Sequence, residues 1–155
     1  MIDAISLKIL KILQKKARIP NVEVARQVGM APSAVLERIR KLEKQGFIDG
    51  YEVRLNPKRF AKSLVAFVRV KIKKSGDEKK IGEKLSRIAE VQEVHYVAGE
   101  DAFLVKVRAA DTEDLGRLTR VKIGAIASVR STQTAIVLST YKETARIPID
   151  QAEKK

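Results

Sequence analysis

The chain has no cysteine, no tryptophan and a single histidine among 155 residues. Without cysteine, disulfides, thiolate zinc sites and thiol nucleophiles are excluded together, and the composition fits a reducing cytoplasm. Aromatic residues make up only 5%, so the core is expected to be aliphatic. Long apolar runs are missing as well; nothing approaches the ~18 residues of a membrane span. Residues 1–16 interleave Lys and Ser with apolar side chains, unlike the apolar block and cleavage site of a secretory signal. These features describe a soluble, cytoplasmic chain with no membrane association. No Walker or GxGxxG phosphate loop is present. A lone His95 is a poor metal ligand, and no nucleophile, base and orienting group assemble around it, so it reads as an ordinary strand residue on a packed sheet. The expectation is a protein that is not an enzyme and holds no metal or cofactor.

Acidic residues are also in deficit. Nineteen Asp and Glu face 32 Lys and Arg, a formal charge of +13. That excess points to a polyanionic partner, most often nucleic acid and sometimes an anionic membrane. Proteins of thermophiles also carry many surface Lys and Glu, so charge alone leaves the partner open. Hydrophobic residues at 45% are ample for a buried core.

Residues 1–48 read as three short helices. Asp3 is placed to cap the first, whose apolar stripe is Ile9, Leu10 and Leu13 before the break at Ile19 and Pro20. Asn21 is a candidate cap for a helix over 22–28 that stops at Gly29. Ala25 and Gly29 are small enough for a close helix crossing, and Pro32 suits the first turn of the third helix. Gly46 ends that helix. Phe47, Ile48, a turn at Asp49 and Gly50, and residues 51–55 then predict a short strand and return, making the motif winged.

After the polar break at Asn56, Pro57, Lys58 and Arg59 the period changes. Ala66, Val68, Val70 and Ile72 alternate with Phe67, Arg69, Lys71 and Lys73, as in a half-buried strand. Ser75, Gly76 and Asp77 turn into a helix with Ile81, Leu85 and Ile88 on one face. Strands over 94–98 and 103–108 flank a turn at Gly99, Glu100 and Asp101; Asp111 or Thr112 starts another helix, and 132–139 is the last strand. The order βαββαβ predicts a ferredoxin-like antiparallel sheet, and the whole chain an α+β protein. The expected divisions are a helix-turn-helix over 1–56, a linker over 57–63, the βαββαβ domain over 64–141 and a polar tail over 142–155, with a candidate added strand at 147–149.

At 100° per residue, Val35, Leu36, Ile39 and Leu42 of the third helix share one sector. Ser33, Glu37, Arg40, Lys41 and Lys44 lie opposite, with Ala34 and Arg38 on the flank. A small, hydrogen-bonding and cationic face is what a major groove accepts: Arg and Lys meet guanine or phosphate, and Ala34 a thymine methyl. One such helix alone is an ordinary solvated amphipath; helix, glycine turn, helix and the net charge together favour DNA.

The residues Ala17, Arg18 and Ile19, the run NVEVA from Asn21, Val28 to Met30, PSAVLERIRKLE from Pro32, and QGFI from Gln45 with Gly50 and Tyr51 together resemble the Lrp/AsnC (feast/famine) regulators. The resemblance implies a helix-turn-helix over 21–40 with its recognition helix over 32–44, and candidate DNA-binding residues Asn21, Pro32, Ser33, Ala34, Glu37, Arg38, Arg40, Lys41 and Lys44. Ala31 stands where the family often has a capping Ser.

The likeness continues through HYVAG from His95, LVKV from Leu104 and the Thr132, Gln133, Thr134 segment. It implies a ligand-binding (RAM-type) domain, homodimers that assemble into octamers, and an amino-acid effector held between dimers. Gly99, Glu100, Asp101, Thr132 and Thr134 match the effector segments. Gly99 would admit a ligand carboxylate close to the backbone, Glu100 or Asp101 would meet an amino group, and two hydroxyls two residues apart leave one strand face. The family's Asp is Ala102 here, with Asp101 one place earlier. Lys122 falls near the stripe Leu115, Leu118 and Ile126, where it either holds a carboxylate or lays its stem over apolar surface. The function expected is sequence-specific transcriptional regulation of double-stranded DNA, modulated by a small amino acid. The rivals are a siroheme-decarboxylase-like enzyme of the same architecture and a weakly specific architectural DNA-binding protein.

Overall fold

A computed structural model of the chain describes residues 2–73, 78–99 and 102–149. The chain forms two compact units, Met1–Arg54 with Lys142–Lys155, and Leu55–Tyr141. Together they make an α+β protein with the expected helix-turn-helix and antiparallel sheet.

The first unit is built on α1 (Ala4–Lys15), α2 (Asn21–Val28) and α3 (Pro32–Lys44). Asp3 caps α1 as expected, its carboxylate accepting from the Ser6 amide at 2.7 Å. Ile9 and Leu13 of α1, Val24 and Ala25 of α2, and Val35, Ile39 and Leu42 of α3 are buried together. These are the 3.6-residue stripes visible in the sequence, and each fully buried Ile or Val contributes roughly 1.5–3 kcal/mol of burial free energy.

Three local readings change. The cap of α2 is Pro20, whose carbonyl accepts from Glu23 and Val24, so Asn21 is already the first helical residue. Gly29 ends α2 with φ 73°, and a Cβ there would meet nothing within 4 Å. It therefore serves the left-handed backbone rather than a close crossing; the buried small residue is Ala25. Residues 47–56, all described, form no strand. A wing needs a second strand to satisfy its backbone, and this segment has none beside it. Tyr51 instead donates its hydroxyl to Glu43 at 2.9 Å.

The expected tail is tied down. The Gln14 side chain donates to the Ile147 carbonyl at 2.8 Å and accepts from the Ile147 amide at 2.9 Å. Arg146 donates to the Lys15 carbonyl at the end of α1. The side-chain amide supplies the donor and acceptor that a neighbouring strand would have offered, and no strand forms over residues 147–149.

In the second unit the polar break is itself ordered as a 3₁₀ turn, Pro57–Phe60, capped by Asn56. The elements are then β1 (Leu64–Ile72), α4 (Glu78–Ser86), β2 (Val91–Val97), β3 (Ala102–Ala109), α5 (Thr112–Arg117) and β4 (Val129–Ile136). The turn expected at Ser75, Gly76 and Asp77 lies outside the described residues. Strand order is β2-β3-β1-β4, and every pairing is antiparallel. Val68 and Val70 of β1 lie against Val105 and Phe103 of β3. These residues are buried with Ile81 and Leu85 of α4 and Leu115 of α5.

Between α5 and β4 the helix widens into a π turn, Leu118–Ile123. Gly124 closes it, its amide donating to the Thr119 carbonyl at 2.8 Å. The wide turn shifts the inward position to Ile123, which is fully buried. Lys122 thereby leaves the apolar stripe that a straight helix predicts.

Candidate nucleic-acid interface and effector site

The α3 helix is 13 residues long, roughly 20 Å at 1.5 Å per residue. Its Val35, Ile39 and Leu42 face is buried, which turns Ser33, Glu37, Arg40, Lys41 and Lys44 to the surface. Ala34 is half-buried on the flank. The amino-terminal half is thus small and hydrogen-bonding, and the carboxy-terminal half is cationic. Ala31 provides no capping side chain and Pro32, at the first helical position, has no N–H. The free amides of the first turn are left for solvent or a phosphate, which the helix dipole also favours.

Arg38 does not join this face. Its guanidinium reaches back to the Asp3 carboxylate at 2.5 Å and the Ser6 hydroxyl at 3.0 Å, with the side chain 31% exposed. The Ser6 amide and the Arg38 guanidinium hold the Asp3 carboxyl down at about 2. An expected DNA reader is thus engaged in a tie between α1 and α3. Sequence reasoning missed it because Asp3 and Arg38 are 35 residues apart and neither position advertises a partner. Asn21, at the head of α2, is half-buried. On α2, Glu23 accepts two bonds from Arg26 and one from Gln27, pulling its carboxyl down to about 2. Partial burial and the neighbouring Glu43 raise the Tyr51 phenol to about 12, so it stays a donor.

Of the candidate effector residues, Gly99 stands at the β2–β3 end of the sheet and Thr132 and Thr134 on its β4 edge. Gly99 stands in the turn after β2 with φ 104°, which favours glycine on backbone grounds. A Cβ there meets nothing within 4 Å. Glu100 and Asp101 lie outside the described residues. Ala102, at the start of β3, is fully buried. Thr132 and Thr134 pair with Val70 and Val68 of β1, so both hydroxyl-bearing side chains leave one face of β4 and are exposed. Strands β3 and β1 separate this edge from the Gly99 turn, a lateral distance of roughly 12 Å at about 4.8 Å per strand. Within one chain the two segments are therefore not neighbours on the sheet.

Lys122 belongs to neither segment. It donates to Glu90 at 2.5 Å, with its side chain 47% exposed, and lowers that carboxyl. His95 is 59% exposed rather than packed and contacts Glu93 at 3.3 Å. Glu93 in turn accepts from Lys106 at 3.0 Å.

Two family profiles match the chain. The one described as Lrp/AsnC ligand binding domain covers residues 65–147, and winged helix-turn-helix DNA-binding covers residues 2–49. The leucine-responsive regulatory protein of Klebsiella pneumoniae is 35% identical over 150 residues, spanning 96% of this chain and 92% of that protein. The HTH-type transcriptional regulator FL11 of Pyrococcus abyssi is 36% identical over 148 residues, spanning 96% and 97%. Among solved structures, a transcriptional regulator of Neisseria meningitidis in complex with L-methionine superposes with a TM-score of 0.91 at 28% identity, over 97% of this chain and 98% of that one. The feast or famine regulatory protein of M. tuberculosis, complexed with L-methionine, gives 0.88 at 31% identity, over 97% and 100%.

Proposed function

We propose, from the premise that this chain belongs to the Lrp/AsnC family of transcriptional regulators, a division of labour between its two units. The chain is a DNA-binding transcriptional regulator modulated by a small ligand. In our reading, α3 enters the major groove of double-stranded DNA and acts in the cytoplasm without enzymatic chemistry. Ser33, Ala34, Glu37 and Lys41 read base edges, while Arg40 and Lys44 meet phosphates. The observation that carries this reading is the exposed face of α3, whose cations have no described acidic partner while Arg26 on α2 and Arg117 on α5 are paired within their own helices.

The effector is an amino acid, in line with the two L-methionine complexes of the neighbours. The Gly99 turn and the Thr132 and Thr134 edge lie on non-adjacent strands of one chain, which supports a site that takes its two halves from different copies. Assembly into dimers and octamers and effector binding are then linked, since a ligand shifts an equilibrium only through its differential affinity for the two states. Sequencing of protein-bound genomic DNA with and without amino-acid mixtures tests the reading. A set of related palindromic sites whose occupancy responds to one amino acid is expected. Uniform coverage that ignores every amino acid would refute it in favour of an architectural coat.

A further inference from the structure

We propose that the outward face of α1 is a second docking surface for the backbone of duplex DNA, separate from the groove-reading face of α3. Lys8, Lys11 and Lys15 fall within about 60° on α1, opposite the buried Ser6, Ile9 and Leu13, and all three are exposed. They step along the helix at roughly 5 Å intervals, within reach of successive phosphates. Lys16 and Arg18 follow, both exposed. The docked carboxy-terminal segment adds Arg146, whose guanidinium rests on the Lys15 carbonyl.

Two features separate this face from an ordinary solvated one. Residues 4–22 contain those five Lys and Arg and no Asp or Glu, whereas solvated helix faces interleave the two signs. On α2 and α5, by contrast, a helical cation is neutralised in place: Glu23 pairs with Arg26 and Asp114 with Arg117. On α1 the neighbours at three and four residues are like-charged, Lys8 with Lys11 and Lys11 with Lys15, and such pairs repel. A polyanion lying along the helix turns that repulsion into attraction. The helices α1 and α3 pack on one shared core through their buried stripes, and each turns its own cations outward. The occupant assigned to the α1 face is a stretch of duplex other than the base pairs read by α3. The proposal rests on DNA as the partner, and not on base reading by α3.

The test uses the full chain with Lys8, Lys11 and Lys15 replaced together by Gln, and a parallel triple Lys-to-Arg variant. Each is titrated with an operator duplex and with a scrambled duplex over a range of salt, in the native background and with Arg40→Ala and Lys44→Ala. In the Arg40 and Lys44 background, scrambled-duplex binding should persist with a marked salt slope. The Gln triple should lower that slope by about 2–3, at roughly 0.9 per phosphate contact. The Arg triple should restore it, and the preference for operator over scrambled duplex should be unchanged in the native background. An unchanged slope in the Gln triple would overturn the proposal. So would lysine-dependent binding to phosphatidylserine vesicles or polyglutamate with no effect on DNA. If the Arg40 and Lys44 substitutions leave operator binding intact, the reading of α3 fails, and the lysine comparison still stands on its own.

Discussion

Replacing Asp3 isolates the tie that fixes the recognition helix to α1. The carboxylate makes two kinds of bond: it caps α1 through the Ser6 amide and pairs with Arg38. Asp3→Asn keeps a good capping oxygen and removes only the charge; Asp3→Ala removes both. Loss of a cap costs roughly 1 kcal/mol, and an exposed ion pair contributes about 0–1 kcal/mol. The depression of the Asp3 carboxyl from 3.8 to about 2 corresponds to about 2.4 kcal/mol at 1.36 kcal/mol per unit. The side chain is 54% exposed, so solvent screening reduces this to about 1 kcal/mol. Asp3→Ala should therefore destabilise by about 1.5 kcal/mol and Asp3→Asn by about 0.5 kcal/mol. Urea unfolding followed by circular dichroism gives both values, and hydrogen exchange in α1 and α3 locates the loss. Since the folded carboxyl is the more acidic, its contribution is complete above pH 3.8 and fades as pH falls towards about 2. Arg38→Ala combined with Asp3→Asn should lose less than the sum of the single changes. Equal stability of Asp3→Ala and the parent, or strict additivity of the pair, would refute the reasoning.

Arg40→Ala and Lys44→Ala should each weaken binding to all duplexes alike and reduce the log–log salt slope by roughly 0.9; salt titrations by fluorescence anisotropy measure it. Gly124→Ala should destabilise the second unit, because its Cβ would stand 3.0 Å from the Arg120 carbonyl and 3.1 Å from that of Thr119; Gly116→Ala, whose Cβ would meet the far end of the Arg120 side chain at 3.2 Å, should melt close to the parent. Thr134→Val should cut amino-acid affinity about fivefold by removing a hydrogen bond of roughly 1 kcal/mol, with effector-free DNA affinity unmoved in the same calorimetric and anisotropy series. Gln14→Ala should free residues 142–149 for faster hydrogen exchange without altering exchange in the sheet.

The parts legible in the sequence are those with local periodicity. The alternation of Ala66, Val68, Val70 and Ile72 appears directly as the buried face of β1, and Val35, Ile39 and Leu42 as the buried stripe of α3. The reading face of α3 follows from that stripe by geometry. What was not legible depends on groups far apart in the chain or on a change of helical pitch. The angular count sets Arg38 on the flank of the reading face, and only the folded chain brings Asp3 and Ser6 to it. A count at 3.6 residues per turn sets Lys122 near the apolar stripe, and the π turn at Leu118–Ile123 breaks that count. The short strand and return expected over 47–55 has no strand paired with it among the described residues. Gln14 holding Ile147 has no sequence signature, because a single side-chain amide mimics a strand edge. Strand order, which no local pattern reveals, sets the Gly99 turn after β2 apart from Thr132 and Thr134 on β4.

The central claim is that α3 reads base sequence. The most direct measurement compares the affinity of the full chain for a selected palindromic duplex and for a scrambled duplex at one fixed salt concentration, with and without Ser33→Ala, Glu37→Ala and Lys41→Ala. A specific-to-non-specific ratio of at least about 10³ is expected, reduced in the substituted chain while scrambled-duplex binding weakens far less. A ratio near one, or a ratio that the three substitutions leave untouched, would contradict it.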